Sequence, residues 1–158
     1  MYLKELYINE NAWMDINKHA IEGDSIEIGG FLMGFKCILD DHPIVWITKS
    51  VRGNCRSSAA QVIIETSTYD NVLTEMESNG LSVVGWYHTH PGIGIFLSGT
   101  DKNTMFRHFN NPSSIALVLD PKRNTWGFFG WDEEKRRLKH LSAHLFCGDN
   151  CEEYLQES

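Results

Sequence analysis

The sequence predicts a mixed α/β layered domain. Apolar stretches of strand length, rich in Val, Ile, Phe and Trp, recur along the chain, and segments with helical spacing lie between them. A chain of 158 residues is also long enough to bury one substantial core as a single domain. We place that domain at residues 1–146 and read 147–158 as a polar C-terminal tail.

The first expected element is a helix over 11–22, with Trp13, Ile16, Ala20 and Ile21 on one face and Asn9 or Asn11 as its cap. Residues 27–39, EIGGFLMGFKCIL, read as a buried strand weakened by glycines. Asp40-Asp41-His42-Pro43 turns the chain, and IVWITKSV returns as the hairpin partner. After a polar loop over 52–58, AAQVIIE reads as a third strand. The helix over 67–79 carries Tyr69, Val72, Leu73 and Met76 at i, i+3, i+4 and i+7, and Gly80 closes it. LSVVGWYH is a largely apolar strand, followed by a short helix over 100–109 that stops before Asn111-Pro112. SIALVLD and NTWGFFGW are strands joined at Asp120-Pro121-Lys122-Arg123. In RLKHLSAHLF, 137–146, both helical and alternating spacings fit, and a final strand is the preferred reading. Trp86, Trp126, Trp131, Phe128 and Phe129 are expected in the core.

The net charge of −7 argues against nucleic acid, because Lys and Arg supply most non-specific phosphate affinity. It mildly favours a partner with a basic face. No apolar run approaches the roughly 18 residues of a bilayer span, no basic-then-apolar leader opens the chain, and no prenylation motif ends it. A cytoplasmic protein without a membrane partner is therefore the expectation. Cysteines 37, 55, 147 and 151 match no zinc finger, and Cys147 and Cys151 are expected to be reduced thiols in that compartment. His140 and His144 lack the glutamate of H-E-x-x-H and are read as ordinary histidines.

The stretch GWYHTHPGIGIFLSGTD, Gly85–Asp101, concentrates the chemistry. His88 and His90 sit at i and i+2 on a strand, so both imidazoles leave one face. Asp101, on the first turn of the next helix, would be a third ligand if the loop over 92–97 folds it back. Three protein ligands with a fourth place for water is the pattern of a catalytic zinc. The competing reading is a helix start, because Ser98-x-x-Asp101 is also a capping sequence. Neither histidine is needed for a cap, so the two readings stand side by side. Glu27 is a candidate general base: a carboxylate opening an apolar strand is costly unless it has a task or lies at an exposed strand end.

Together, Glu27-Ile28-Gly29-Gly30-Phe31-Leu32-Met33-Gly34, Gly85-Trp86-Tyr87-His88-Thr89-His90-Pro91 and Ser98-Gly99-Thr100-Asp101 resemble the JAMM (MPN-type, JAB-domain) metalloprotease family. Its pattern is a glutamate before a glycine-bearing strand, H-x-H-P, seven residues to a serine, and an aspartate three later. The resemblance covers nearly the whole chain. It implies a cytidine-deaminase-like layered fold, a curved mixed sheet flanked by helices, and one zinc per chain held by His88, His90 and Asp101. It also implies that Glu27 is the general base and that Ser98 donates to the oxyanion. The implied substrates are conjugates of ubiquitin or a ubiquitin-like protein, cut after the modifier's C-terminal glycine. Conjugation-pathway proteins are further possible partners. The modifier's tail would lie extended against a strand edge, with the loop 92–97 and the segment 52–62 as walls. Only about twelve residues separate Asp101 from the strand at Ser114, which leaves little room for the insertion of the larger deubiquitinases and fits a compact, prokaryotic-type member. The alternatives are a processing peptidase that trims a ubiquitin-like or sulfur-carrier precursor, and a non-catalytic scaffold, against which the intact five-residue set argues. A nucleobase deaminase would need H-x-E and P-C-x-x-C, which are absent.

Overall fold

The computed structural model describes residues 5–53, 66–133 and 137–147. The described chain runs β1 (Glu5–Asn9), α1 (Glu10–Gly23), β2 (Gly29–Leu39), β3 (His42–Arg52), α2 (Thr66–Asn79), β4 (Ser82–Thr89), α3 (Gly99–His108), β5 (Ile115–Asp120), β6 (Thr125–Trp131), β7 (Leu138–Leu141) and β8 (His144–Phe146). The strands form one mixed sheet in the order β7-β6-β5-β4-β2-β3-β1-β8. β4 runs parallel to β5, and β1 parallel to both β3 and β8. The other neighbours are antiparallel.

β7 and β8 lie on opposite edges of this sheet, yet only Ser142 and Ala143 separate them. Three Cα steps reach about 11 Å at most, so the sheet must curl until its edges nearly meet. The expected curved α/β architecture is thus present.

Side chains alternate across β4, and that alternation builds two cores. Tyr87 joins Ile28, Leu32 and Leu117 beneath Ala12 and Ile16 of α1. Trp86 joins Phe31 and Val118 on the other face with Val72 of α2 and Met105 of α3. The indole N–H of Trp86 also reaches the Met105 sulfur at 3.1 Å, fastening α3 to the sheet. A third cluster stacks Tyr7 on Trp46 with ring centroids 4.4 Å apart, beside Phe146.

Several expectations need correction. Residues 5–9, left without an element by pattern reading, form β1; five residues are too few to display a period. The hairpin turns on Asp40 and Asp41 alone, both at positive φ, as the tight turns matching strand twist require. Pro43 therefore belongs to β3, opposite Ile38. The ambiguous 137–146 segment is two strands, split by the crossing between edges. Ile21, Leu73, Met76 and Trp126 are exposed, the last packing edge-on against Trp13. Trp86, Trp131, Phe128 and Phe129 are buried as expected. Asn9 is the α1 cap, its side chain accepting from Asn11 N–H at 2.8 Å. Gly80, at φ +66, closes α2 with its N–H on the Met76 carbonyl. The strand expected at 59–65, Cys55, Cys151 and the side chain of Tyr69 lie outside the described residues.

The glycines of β2 permit close backbone approach. A Cβ at Gly34, beside the bulge, would collide with the Trp46 carbonyl. Gly34→Val is therefore expected to destabilise the fold by about 1–3 kcal/mol, read as a lower urea midpoint.

Candidate functional site

The site forms where β2 begins and β4 ends. Gly29 pairs with His88, and extending this antiparallel register by two residues sets Glu27 opposite His90 on the same face. Thr89 points the other way and clamps the junction. Its Oγ1 accepts from Ile28 N–H at 3.0 Å, and its own N–H donates to the Ile28 carbonyl at 2.9 Å. The half-buried Glu27 is thus held beside the histidines, near enough for its carboxylate to act on the His88 ring. At the end of β4, the His90 N–H donates to the Leu119 carbonyl at 2.8 Å, fixing the strand against β5.

The chain then turns through 91–98 into α3. Ser98 caps that helix, its Oγ accepting from Asp101 N–H at 3.1 Å while Asp101 Oδ2 accepts from Ser98 N–H at 2.9 Å. The same carboxylate oxygen lies 3.0 Å from His88 Nε2 and 3.2 Å from His90 Nε2, and the two nitrogens are 3.0 Å apart. Capping and clustering are therefore two uses of one side chain. All three residues are buried, and they are the one compact group of potential metal ligands among the described residues.

Their spacing fits a metal. Ligand atoms at 2.0–2.1 Å from a tetrahedral zinc lie about 3.3 Å from one another, close to the 3.0–3.2 Å observed. The donor set, two imidazoles and one carboxylate, also suits zinc. Burial pushes the His88 imidazole below its usual range against the pull of Asp101, leaving a neutral ring with a lone pair to offer. Burial would raise the Asp101 carboxyl, but the His88 and His90 imidazoles against it outweigh that and hold the group well below the ordinary carboxylate range. His88 and His90 Nδ1 have no hydrogen-bond partner among the described residues.

Packing fixes the rings. Trp86 stacks on His88 at 4.5 Å and 11°, and Phe96 covers His90 at 4.7 Å. Phe96 and Ile93 are themselves partly exposed, so the 92–97 loop presents an apolar surface beside the cluster. β4 is paired on both sides, by β2 and β5, so among the described residues it presents no open edge beside the cluster. Residues 54–62 of the second expected wall lie outside the described residues. His140 and His144 stand on opposite edges of the sheet, packed on Phe129 and Tyr7.

Pattern reading placed Phe96 in the 92–97 wall and Asp120 in a turn, but gave neither of them, nor Thr89, a role of its own. Asp120 carried the clearest signal, a carboxylate ending a wholly apolar strand.

The family model described as JAB1/Mov34/MPN/PAD-1 ubiquitin protease matches residues 1–110. The chain belongs to the JAB/MPN family. It is 34% identical over 128 residues to COP9 signalosome complex subunit 5 of Eremothecium gossypii, covering 78% of this chain and 29% of that protein. Subunit 5a of Arabidopsis thaliana is 32% identical over 129 residues, covering 77% and 35%. The chain thus spans about a third of the length of the curated relatives it matches. In fold, it superposes on the solution structure of protein DSY2949 from Desulfitobacterium hafniense with a TM-score of 0.67 at 18% identity, covering 90% of this chain and 94% of that one.

Proposed function

We propose that this JAB/MPN domain is a zinc-dependent isopeptidase that cuts after the C-terminal glycine of ubiquitin or a ubiquitin-like modifier. The observation that carries the reading is the convergence of His88 Nε2, His90 Nε2 and Asp101 Oδ2 within 3.0–3.2 Å, with Glu27 in register beside them. The family description as a ubiquitin protease supplies the substrate class.

His88, His90 and Asp101 would hold one zinc ion. Bound there, the ion supplies Lewis acidity, lowering the pKa of a water to about 7 and polarising the scissile carbonyl. Glu27 accepts a proton from the attacking water and returns one to the leaving amine. Ser98 stabilises charge on the carbonyl oxygen. Its Oγ already accepts the capping bond from Asp101, which leaves the hydroxyl proton available to donate. The apolar loop 92–97 lines the approach of the extended modifier tail.

Two measurements test the assignment. Elemental analysis of protein purified without chelator is expected to find one zinc per chain; metal-free protein with full activity refutes the reading. Ser98→Ala is expected to lower kcat by ~10²–10³-fold, the usual loss of one oxyanion donor, and to destabilise by about 1 kcal/mol through the lost cap. A drop in stability with unchanged kcat would reduce Ser98 to a cap.

A further inference from the structure

We infer that Asp120 is a positioning residue that holds the 92–97 loop as the wall of the substrate groove; this rests on the isopeptidase reading. Asp120 ends β5 and is completely buried, though it belongs to neither the ligand set nor the proton path. Its Oδ1 accepts from Gly92 N–H at 2.8 Å, Lys122 N–H at 3.0 Å and Arg123 N–H at 3.2 Å. Its Oδ2 accepts from Gly94 N–H at 2.9 Å and lies 3.7 Å from Arg123 Nε. One carboxylate thus ties the loop after His90 to the turn between β5 and β6.

The loop is shaped to receive it. Gly92 and Gly94 have φ of +78° and +93°, a conformation that L side chains rarely adopt. Backbone N–H groups that converge in a turn form a concavity that binds an anion; here the Gly92 and Gly94 N–H groups converge on a side chain of the same domain, while the Ile93 N–H between them donates to the His90 carbonyl at 3.2 Å. An amide in its place would turn an NH₂ group toward the same donors. Past this clamp Ile95 sits over Gly127, Phe96 lies against His90, and Leu97 is buried in the Trp86 cluster, which anchors the far end of the loop. Ser98 and Asp101 do not depend on the clamp, because the capping box of α3 holds them separately. Loss of the carboxylate should therefore release the groove wall while sparing the ligand cluster and the hydroxyl donor.

The test compares the wild-type chain with Asp120→Asn in three readouts: zinc content, amide hydrogen exchange across 92–97, and steady-state cleavage of ubiquitin carrying a C-terminal amide-linked coumarin. The expected result is unchanged zinc, about tenfold faster exchange in the loop with β4 and β5 unaltered, and a KM raised about fivefold or more with kcat within about threefold. Loop exchange equal to wild type, or a fall in kcat at constant KM, overturns the assignment. If the zinc-loaded wild type cleaves neither this probe nor any lysine-linked conjugate, the isopeptidase reading has failed, and the exchange comparison alone decides whether Asp120 holds the loop. If Asp120→Asn does not fold, Gly94→Ala serves instead. Its Cβ would be strained at φ +93° and crowd Arg123, and it should give the same exchange pattern; unchanged exchange there overturns the assignment equally.

Discussion

Glu27→Gln is expected to keep one zinc per chain and to lose ~10²–10⁴-fold in kcat, the usual contribution of a positioned general base. Glutamine preserves the size and much of the hydrogen-bonding capacity of the side chain but cannot take up the proton of the attacking water. The backbone pairing of Ile28 with Thr89 is independent of the side chain at 27, so the junction should stay intact. A steady-state assay on any cleaved conjugate, run beside elemental analysis, reads both quantities. Near-normal turnover would return Glu27 to the ordinary reading of a strand-end carboxylate.

His88→Ala is expected to abolish stoichiometric zinc and with it detectable cleavage, since the activation of water would be lost with the ion. A second readout is independent of activity. Zinc at about 100 times its Kd should stabilise the wild type by ~2.7 kcal/mol, seen as a rise in Tm, and His88→Ala should show almost none of that rise. The variant also opens a gap beside Trp86, which stacks on the His88 ring, so its Tm without zinc should fall as well. Full zinc occupancy in the variant would refute the ligand assignment.

Much of this site was legible because its chemistry is local in sequence. His88 and His90 lie two apart on one strand, and the spacing to Ser98 and Asp101 encodes both the loop and the helix cap. Glu27 was legible for another reason, as a charge against an apolar strand. The choice between cap and ligand for Asp101 could not be made from residues 85–101 alone, and geometry shows that one oxygen faces Ser98 N–H and both imidazoles. Long-range features were harder to read. β1 and β8 are five and three residues long and are held in place by pairing with each other and with β3, so neither carries a period of its own. Asp120 looked like a turn residue because its partners, Gly92 and Gly94, lie more than twenty-five residues away. Leu73 and Met76 have helical spacing yet remain exposed, which shows that a 3.6-residue stripe marks a face without saying what covers it.

The central claim, that this chain hydrolyses the bond after a modifier's terminal glycine with zinc at His88, His90 and Asp101, is tested most directly by one measurement. Purified protein is incubated with lysine-linked conjugates and C-terminally extended forms of ubiquitin and ubiquitin-like modifiers, with and without chelator, and the products are weighed by intact-mass spectrometry. The account predicts a modifier ending in its terminal glycine, released from a lysine side chain, only in the absence of chelator and restored by added zinc. Cleavage that is indifferent to chelator, or no cleavage of any conjugate by zinc-loaded protein, would contradict it.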